Sequence, residues 1–141
     1  RSTPLYSSAA SDVYKRQMAF MGGTLKPGVD IVLDTVGLAD KLKGTDIVIT
    51  GEGGIDFQTV YDKAPIGVAK LAKTLGIPTI ALAGLVGKDF QVVHREGIES
   101  VFSIVNGPMT LENASSNAHR LIVESTEQVM RLLRVGTTLN I

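Results

Sequence analysis

The chain has 141 residues, enough for one domain with a core of its own. Lys+Arg and Asp+Glu number 14 each, so no net basic surface recruits nucleic acid or anionic lipid. Zero cysteines exclude a disulfide framework and a thiolate metal site and fit a reducing cytoplasm, and no apolar run reaches the ~18–20 residues that a membrane-spanning helix needs.

Arg1 to Gln17 is Ser-rich, has neither helix nor strand periodicity and lacks the apolar core of a secretory signal. It reads as a foreign or disordered leader, and ordinary globular sequence starts at Met18. Met18 to Met21, followed by Gly22-Gly23, reads as the last turn of a helix at its glycine stop, the rest of that helix being absent. After a turn at Leu25–Gly28, the stripe Val29, Val32, Leu33, Val36 and Leu42 predicts a helix over 29–42, with Gly37 as its weak point. A strand is expected at Asp46–Thr50 and a helix at Ile66–Leu75, started by Pro65 and stopped by Gly76. Thr79 to Ala83 is a continuous apolar run, the mark of a parallel strand covered on both faces. A short helix follows at Asp89–Arg95, then a strand at Val101–Val105. Thr110 caps a long helix to Arg134, with Leu111, Ala114, Ala118, Leu121, Ile122, Val129 and Leu132-Leu133 on its apolar stripe. Strands alternating with helices predict an α/β fold, a parallel sheet with flanking helices of Rossmann-like or flavodoxin-like kind. Loops after parallel strands share one sheet edge, so Thr50–Lys63, Gly84–Lys88 and Asn106–Thr110 are expected to meet there, where ligands bind.

The densest chemistry lies in the first of those loops. Gly51, Gly53 and Gly54 allow backbone N–H groups to approach an anion, and Glu52 and Asp56 can hold Mg²⁺ or take a proton. Gln58, Thr59 and Lys63 add neutral and cationic partners. A carboxylate before a helix is also a common cap, and for Glu52 and Asp56 that bland role competes with a functional one. The number of polar groups in one short loop favours function.

Known nucleotide motifs do not fit. Gly51-Glu52-Gly53-Gly54-Ile55-Asp56 puts Asp where a dinucleotide fingerprint needs its third glycine, and no acidic residue ends the next strand. Gly84-Leu85-Val86-Gly87-Lys88 has two residues between its glycines where a Walker A loop has four, and Asp89 in place of Ser or Thr. It reads better as a turn with an exposed lysine. His94 and His119 have no metal-ligand spacing to any partner and read as surface residues.

The run from Ile47 through Gly51-Glu52-Gly53-Gly54-Ile55-Asp56-Phe57-Gln58-Thr59, then Lys63 to Ala69, resembles the signature of the type-1 glycerate kinase family. The likeness continues through Leu25–Asp30, Ile80–Gly84, Gly97–Ile104 and Gly107–Ala114, in order, over nearly all of the chain from Met18 to about Arg134. The resemblance implies a two-domain α/β kinase that moves the γ-phosphate of ATP, with Mg²⁺, to a hydroxyl of D-glycerate in a cleft, and of which this chain is a C-terminal part. It implies a cytoplasmic enzyme, a homodimer at full length, and no nucleic-acid or membrane partner. It also implies site roles: Asp56 as base or metal ligand, Glu52 as a second metal ligand, and Lys63 with Gly51, Gly53, Gly54 and Thr59 around phosphate or the glycerate carboxylate. Gln58 is expected to bond substrate, and the Gly107–Thr110 turn to offer a further helix N-terminus. The chain departs from the family pattern at Gly54, where a basic residue is common, at Phe57, where Ser is common, and at Asp62-Lys63-Ala64, where Gly-Lys-Thr is usual. Two alternatives remain: a non-catalytic α/β module that binds a small molecule, and a kinase of another hydroxy acid.

Overall fold

A computed structural model describes residues 13, 16–18, 20–24, 26–61 and 63–139. Most of the proposed leader, and Asp62, lie outside the described residues. Helical backbone is already present at Val13, Arg16 and Gln17, upstream of Met18. That helix ends where expected: Met21 N–H donates to Gln17 O (3.1 Å) and Gly23 N–H to Met18 O (2.8 Å), with Gly22 at φ 76°. This is the left-handed stop in which a late amide reaches back across the final turn.

The sheet has three parallel strands in the order β1-β2-β3: β1 Val48–Ile55, β2 Thr79–Val86 and β3 Ile98–Ser103. The strand expected at 46–50 therefore runs on through the glycine stretch to Ile55. Close strand packing requires glycine at Gly51 of β1, where a Cβ would stand 2.9 Å from Leu82 O, and at Gly84 of β2, where one would stand 2.7 Å from Gly53 O. Ladder pairing continues through Glu52 opposite Ala83 and Ile55 opposite Val86. β2 likewise outruns its expected end at Ala83, and β3 starts three residues before its expected Val101.

Helices complete the unit. The stripe over 29–42 forms two helices, α1 Gly28–Thr35 and α2 Leu38–Lys41. Gly37 separates them in the left-handed region (φ 62°), so the weak point became a break. α3 is Ala64–Thr74, with Pro65 in its first turn and Ile66, Ala69 and Ala72 buried. The short helix after β2 is a 3-10 helix, Phe90–Glu96. Thr110 caps as expected, its hydroxyl accepting from Asn113 N–H, but the long helix divides at Asn117 into α4 Leu111–Ser116 and α5 Ala118–Leu139.

β2 is the central strand, and its residues from Thr79 to Ala83 are buried. Ala81 and Ala83 face a core with Ile55, Ile66, Ala69, Val93 and Ile98, while Ile80 and Leu82 join Ile104, Leu121 and Val129. Small residues meet α3 on one face and large ones meet α5 on the other. Alternation of side chains along a strand covered on both sides makes such a run uninterruptedly apolar. Other apolar groups stay exposed: Ile31 and Val32 on α1, and Val123, Met130 and Leu132 on α5. None of the helices among the described residues is long and apolar enough to cross a membrane.

Candidate functional site

At the end of β1 the chain enters a 3-10 helix, Phe57–Val60, through a reciprocal cap at Asp56. Asp56 Oδ1 accepts from Gln58 N–H (2.8 Å), and Asp56 N–H donates to Thr59 Oγ1 (3.0 Å). Two free helix-end donors are thereby satisfied, and the carboxylate is held at the exit of the strand. Loop and neighbouring strand are tied together by Gly87 N–H to Ile55 O (2.7 Å) and Phe57 N–H to Lys88 O (3.3 Å).

A cavity of about 240 Å³ opens there, lined by Glu52, Gly53, Gly54, Ile55, Asp56, Lys63, Leu85 and Gly87. Lys63 is the N-cap residue of α3, whose first turn carries no side-chain cap, so the positive end of that helix adjoins the cavity wall. Lys63 Nζ lies 3.4 Å from Glu52 Oε1, with the two side chains 37% and 30% exposed. Glu52 Oε2 is buried and has no hydrogen-bond partner among the described residues. A buried carboxylate oxygen without a donor is costly, and a divalent cation relieves that cost. No cluster of three or more His, Asp or Glu able to hold a metal exists among the described residues. Glu52 and Asp56 are two carboxylates on one cavity, and Mg²⁺ is commonly held by one or two carboxylates, with water and substrate phosphates completing its shell.

The expected site residues divide into two groups. Glu52, Gly53, Gly54, Asp56 and Lys63 line one cavity. Gly51 does not line it; it stands in the ladder opposite Leu82, where packing requires glycine. Thr59 is fully buried, and its hydroxyl accepts from Asp56 N–H, so it serves the loop and presents nothing to a ligand. The Gln58 side chain is outside the lining, although its amide holds Asp56. Capping and cavity-lining thus coexist at Asp56, where they had stood as alternatives. Of the three strand exits expected to meet, the first two do; Asn106–Thr110 contributes no lining residue, and Asn106 Nδ2 instead donates to Glu124 on α5 (3.4 Å). Leu85 and Gly87 belong to the site and were anticipated only as parts of a loop sharing its edge. His94 and His119 are exposed, with His94 Nδ1 2.7 Å from Ile98 O. Lys88 is exposed, as a turn lysine should be.

The profile described as the glycerate kinase family matches residues 8–134. The chain belongs to the glycerate kinase family. A glycerate kinase from Bacillus cereus is 39% identical over 131 residues, covering 93% of this chain and 34% of that relative. A glycerate 2-kinase from Escherichia coli is 38% identical, covering 92% of this chain and 34% of the relative. A crystal structure from Salmonella typhimurium, assigned as a glycerate kinase 2, superposes with a TM-score of 0.64 at 38% identity, over 86% of this chain and 30% of that one. The chain thus spans about a third of the length of the family members it matches. The family match begins at residue 8, within the stretch read as a leader.

Proposed function

We propose that this chain carries the acid-and-glycine loop of an ATP-dependent, cytoplasmic glycerate kinase, which phosphorylates a hydroxyl of D-glycerate. The observation that carries this reading is the convergence of Glu52, Asp56 and Lys63 on one cavity inside a segment that the family profile matches. Phosphoryl transfer asks a protein chiefly to position two substrates and to offset charge on the moving group. When bound, Mg²⁺ would supply charge neutralisation at the phosphate oxygens. Glu52 and Asp56 are the residues that would hold it. Asp56 keeps one carboxylate oxygen on Gln58 N–H, and the other is left for a substrate hydroxyl proton or the metal. Lys63 and the N-terminal turn of α3 supply positive charge for a phosphate or for the substrate carboxylate. The glycines of β1 keep that wall free of side chains.

The test joins this segment to the remaining two thirds of a family member and follows ADP release with D-glycerate. Asp56→Asn keeps the cap, because an amide oxygen still accepts from Gln58 N–H, but removes the base. It is expected to lower kcat at least ~100-fold. Near-normal turnover would remove Asp56 from the chemistry, and absence of glycerate-dependent ADP release by the parent protein would overturn the assignment. A panel of hydroxy acids separates D-glycerate from related acceptors, and phosphorus NMR of the product separates the two hydroxyl oxygens.

A further inference from the structure

We propose that Lys63 is an exchangeable counter-ion: it neutralises Glu52 while the site lacks ligand, and on ligand binding Glu52 trades it for a divalent cation, leaving the ammonium for a phosphate oxygen. This rests on the metal-site reading above and adds to it how the site is kept in balance when empty.

Three observations carry it. The Lys63–Glu52 contact is long and one-sided: Nζ is 3.4 Å from Oε1, whereas a charge-assisted hydrogen bond closes to roughly 2.7–2.9 Å. The other oxygen, Oε2, is buried and unpartnered among the described residues, so the lysine only half satisfies the carboxylate. Finally, among the described residues the charged groups lining the cavity are Glu52, Asp56 and Lys63, two negative and one positive. A dication held by Glu52 and Asp56 would turn the described charge of that wall positive, which suits a phosphate. The lysine is well placed to answer: its backbone is fixed at the start of α3, while its side chain is 37% exposed. A pair this exposed is weak, so exchange costs little.

A double-mutant cycle on the 141-residue chain tests the exchange without reading activity. Pyrophosphate is titrated by calorimetry in the presence of EDTA, and Mn²⁺ binding is followed by electron paramagnetic resonance, with circular dichroism checking the fold of each variant. Glu52→Gln releases Lys63 and should tighten metal-free pyrophosphate binding about fivefold, the weight of a pair exposed to this degree. In the Lys63→Met background the same substitution should give a clearly smaller gain, the part due to lost repulsion alone. Lys63→Met alone should tighten Mn²⁺ about fivefold, Glu52→Gln should abolish Mn²⁺ binding, and Lys63→Arg, which retains the charge, should stay near wild type. An equal pyrophosphate gain from Glu52→Gln in both backgrounds means simple loss of repulsion; that result overturns the exchange and leaves the metal site standing. Mn²⁺ binding that is absent in wild type, or indifferent to Glu52→Gln, overturns both readings.

Discussion

Gly87 tests whether the position of Asp56 is built by the neighbouring strand or by its own loop. A Cβ at residue 87 would lie 2.9 Å from Asp56 Cβ, 3.5 Å from Ile55 O and 3.8 Å from Asp56 Cα. Carbon atoms in ordinary contact sit about 3.5–4.0 Å apart, so Gly87→Ala demands a displacement of roughly 0.6 Å or more. The obstructing atom is next to the backbone and cannot swing away as a side-chain tip does. Two close bonds resist the movement: Gly87 N–H to Ile55 O at 2.7 Å, and Asp56 Oδ1 to Gln58 N–H at 2.8 Å. Overpacking of this kind costs about 1–3 kcal/mol, and stretching the cap accounts for part of it. Urea unfolding of the chain, followed by circular dichroism, should show that loss. The amide resonance of Gln58 should shift as its carboxylate acceptor moves. In the completed kinase, a displacement approaching 1 Å should lower kcat by about tenfold to a hundredfold. A variant of unchanged stability with an unmoved Gln58 amide would show that the loop sets Asp56 by itself and would refute the reasoning.

Thr59→Val keeps the shape of the buried side chain but leaves Asp56 N–H without its acceptor, and should cost about 1–3 kcal/mol in a denaturant titration. Leu121→Ala empties a fully buried position between α5 and the sheet and should cost about 2–5 kcal/mol, whereas Leu132→Ala, on the exposed side of α5, should fall within about 0.5 kcal/mol of wild type. The exposed apolar residues of α1 and α5 should make the isolated chain self-associate, read as a mass above 15.0 kDa by light scattering that rises with concentration. A stable monomer at high concentration would contradict that expectation.

Local rules explain what could be read in advance. The burial of Thr79–Ala83, the cap at Thr110 and the helix end at Gly22 each depend on a few adjacent residues, and each formed as expected. The glycine stretch after Ile49 was harder, because glycine favours loops in isolation. Here it continues a strand, since it pairs with β2 through Ile55 opposite Val86, and the two strands approach so closely that Cβ atoms at Gly51 of β1 and Gly84 of β2 would collide with backbone oxygens across the ladder. Thr59 was misjudged for a similar reason: a polar residue in a glycine-rich loop looks available to ligand, and only packing shows its hydroxyl turned inward to Asp56.

By itself, the order of apolar runs and glycine stops determined a parallel α/β fold, and the acid, glycine and lysine content of residues 51–63 marked where chemistry resides. Those signals survive in sequence because periodicity and turn preferences act over a few neighbouring residues. Tertiary structure decided which members of that stretch face the cavity, joined Leu85 and Gly87 to them, left the exit of β3 outside, and set Lys63 against Glu52. Those outcomes depend on how β1 registers against β2 and where α3 begins, and such distances between segments are settled only when the strands pair and the core closes.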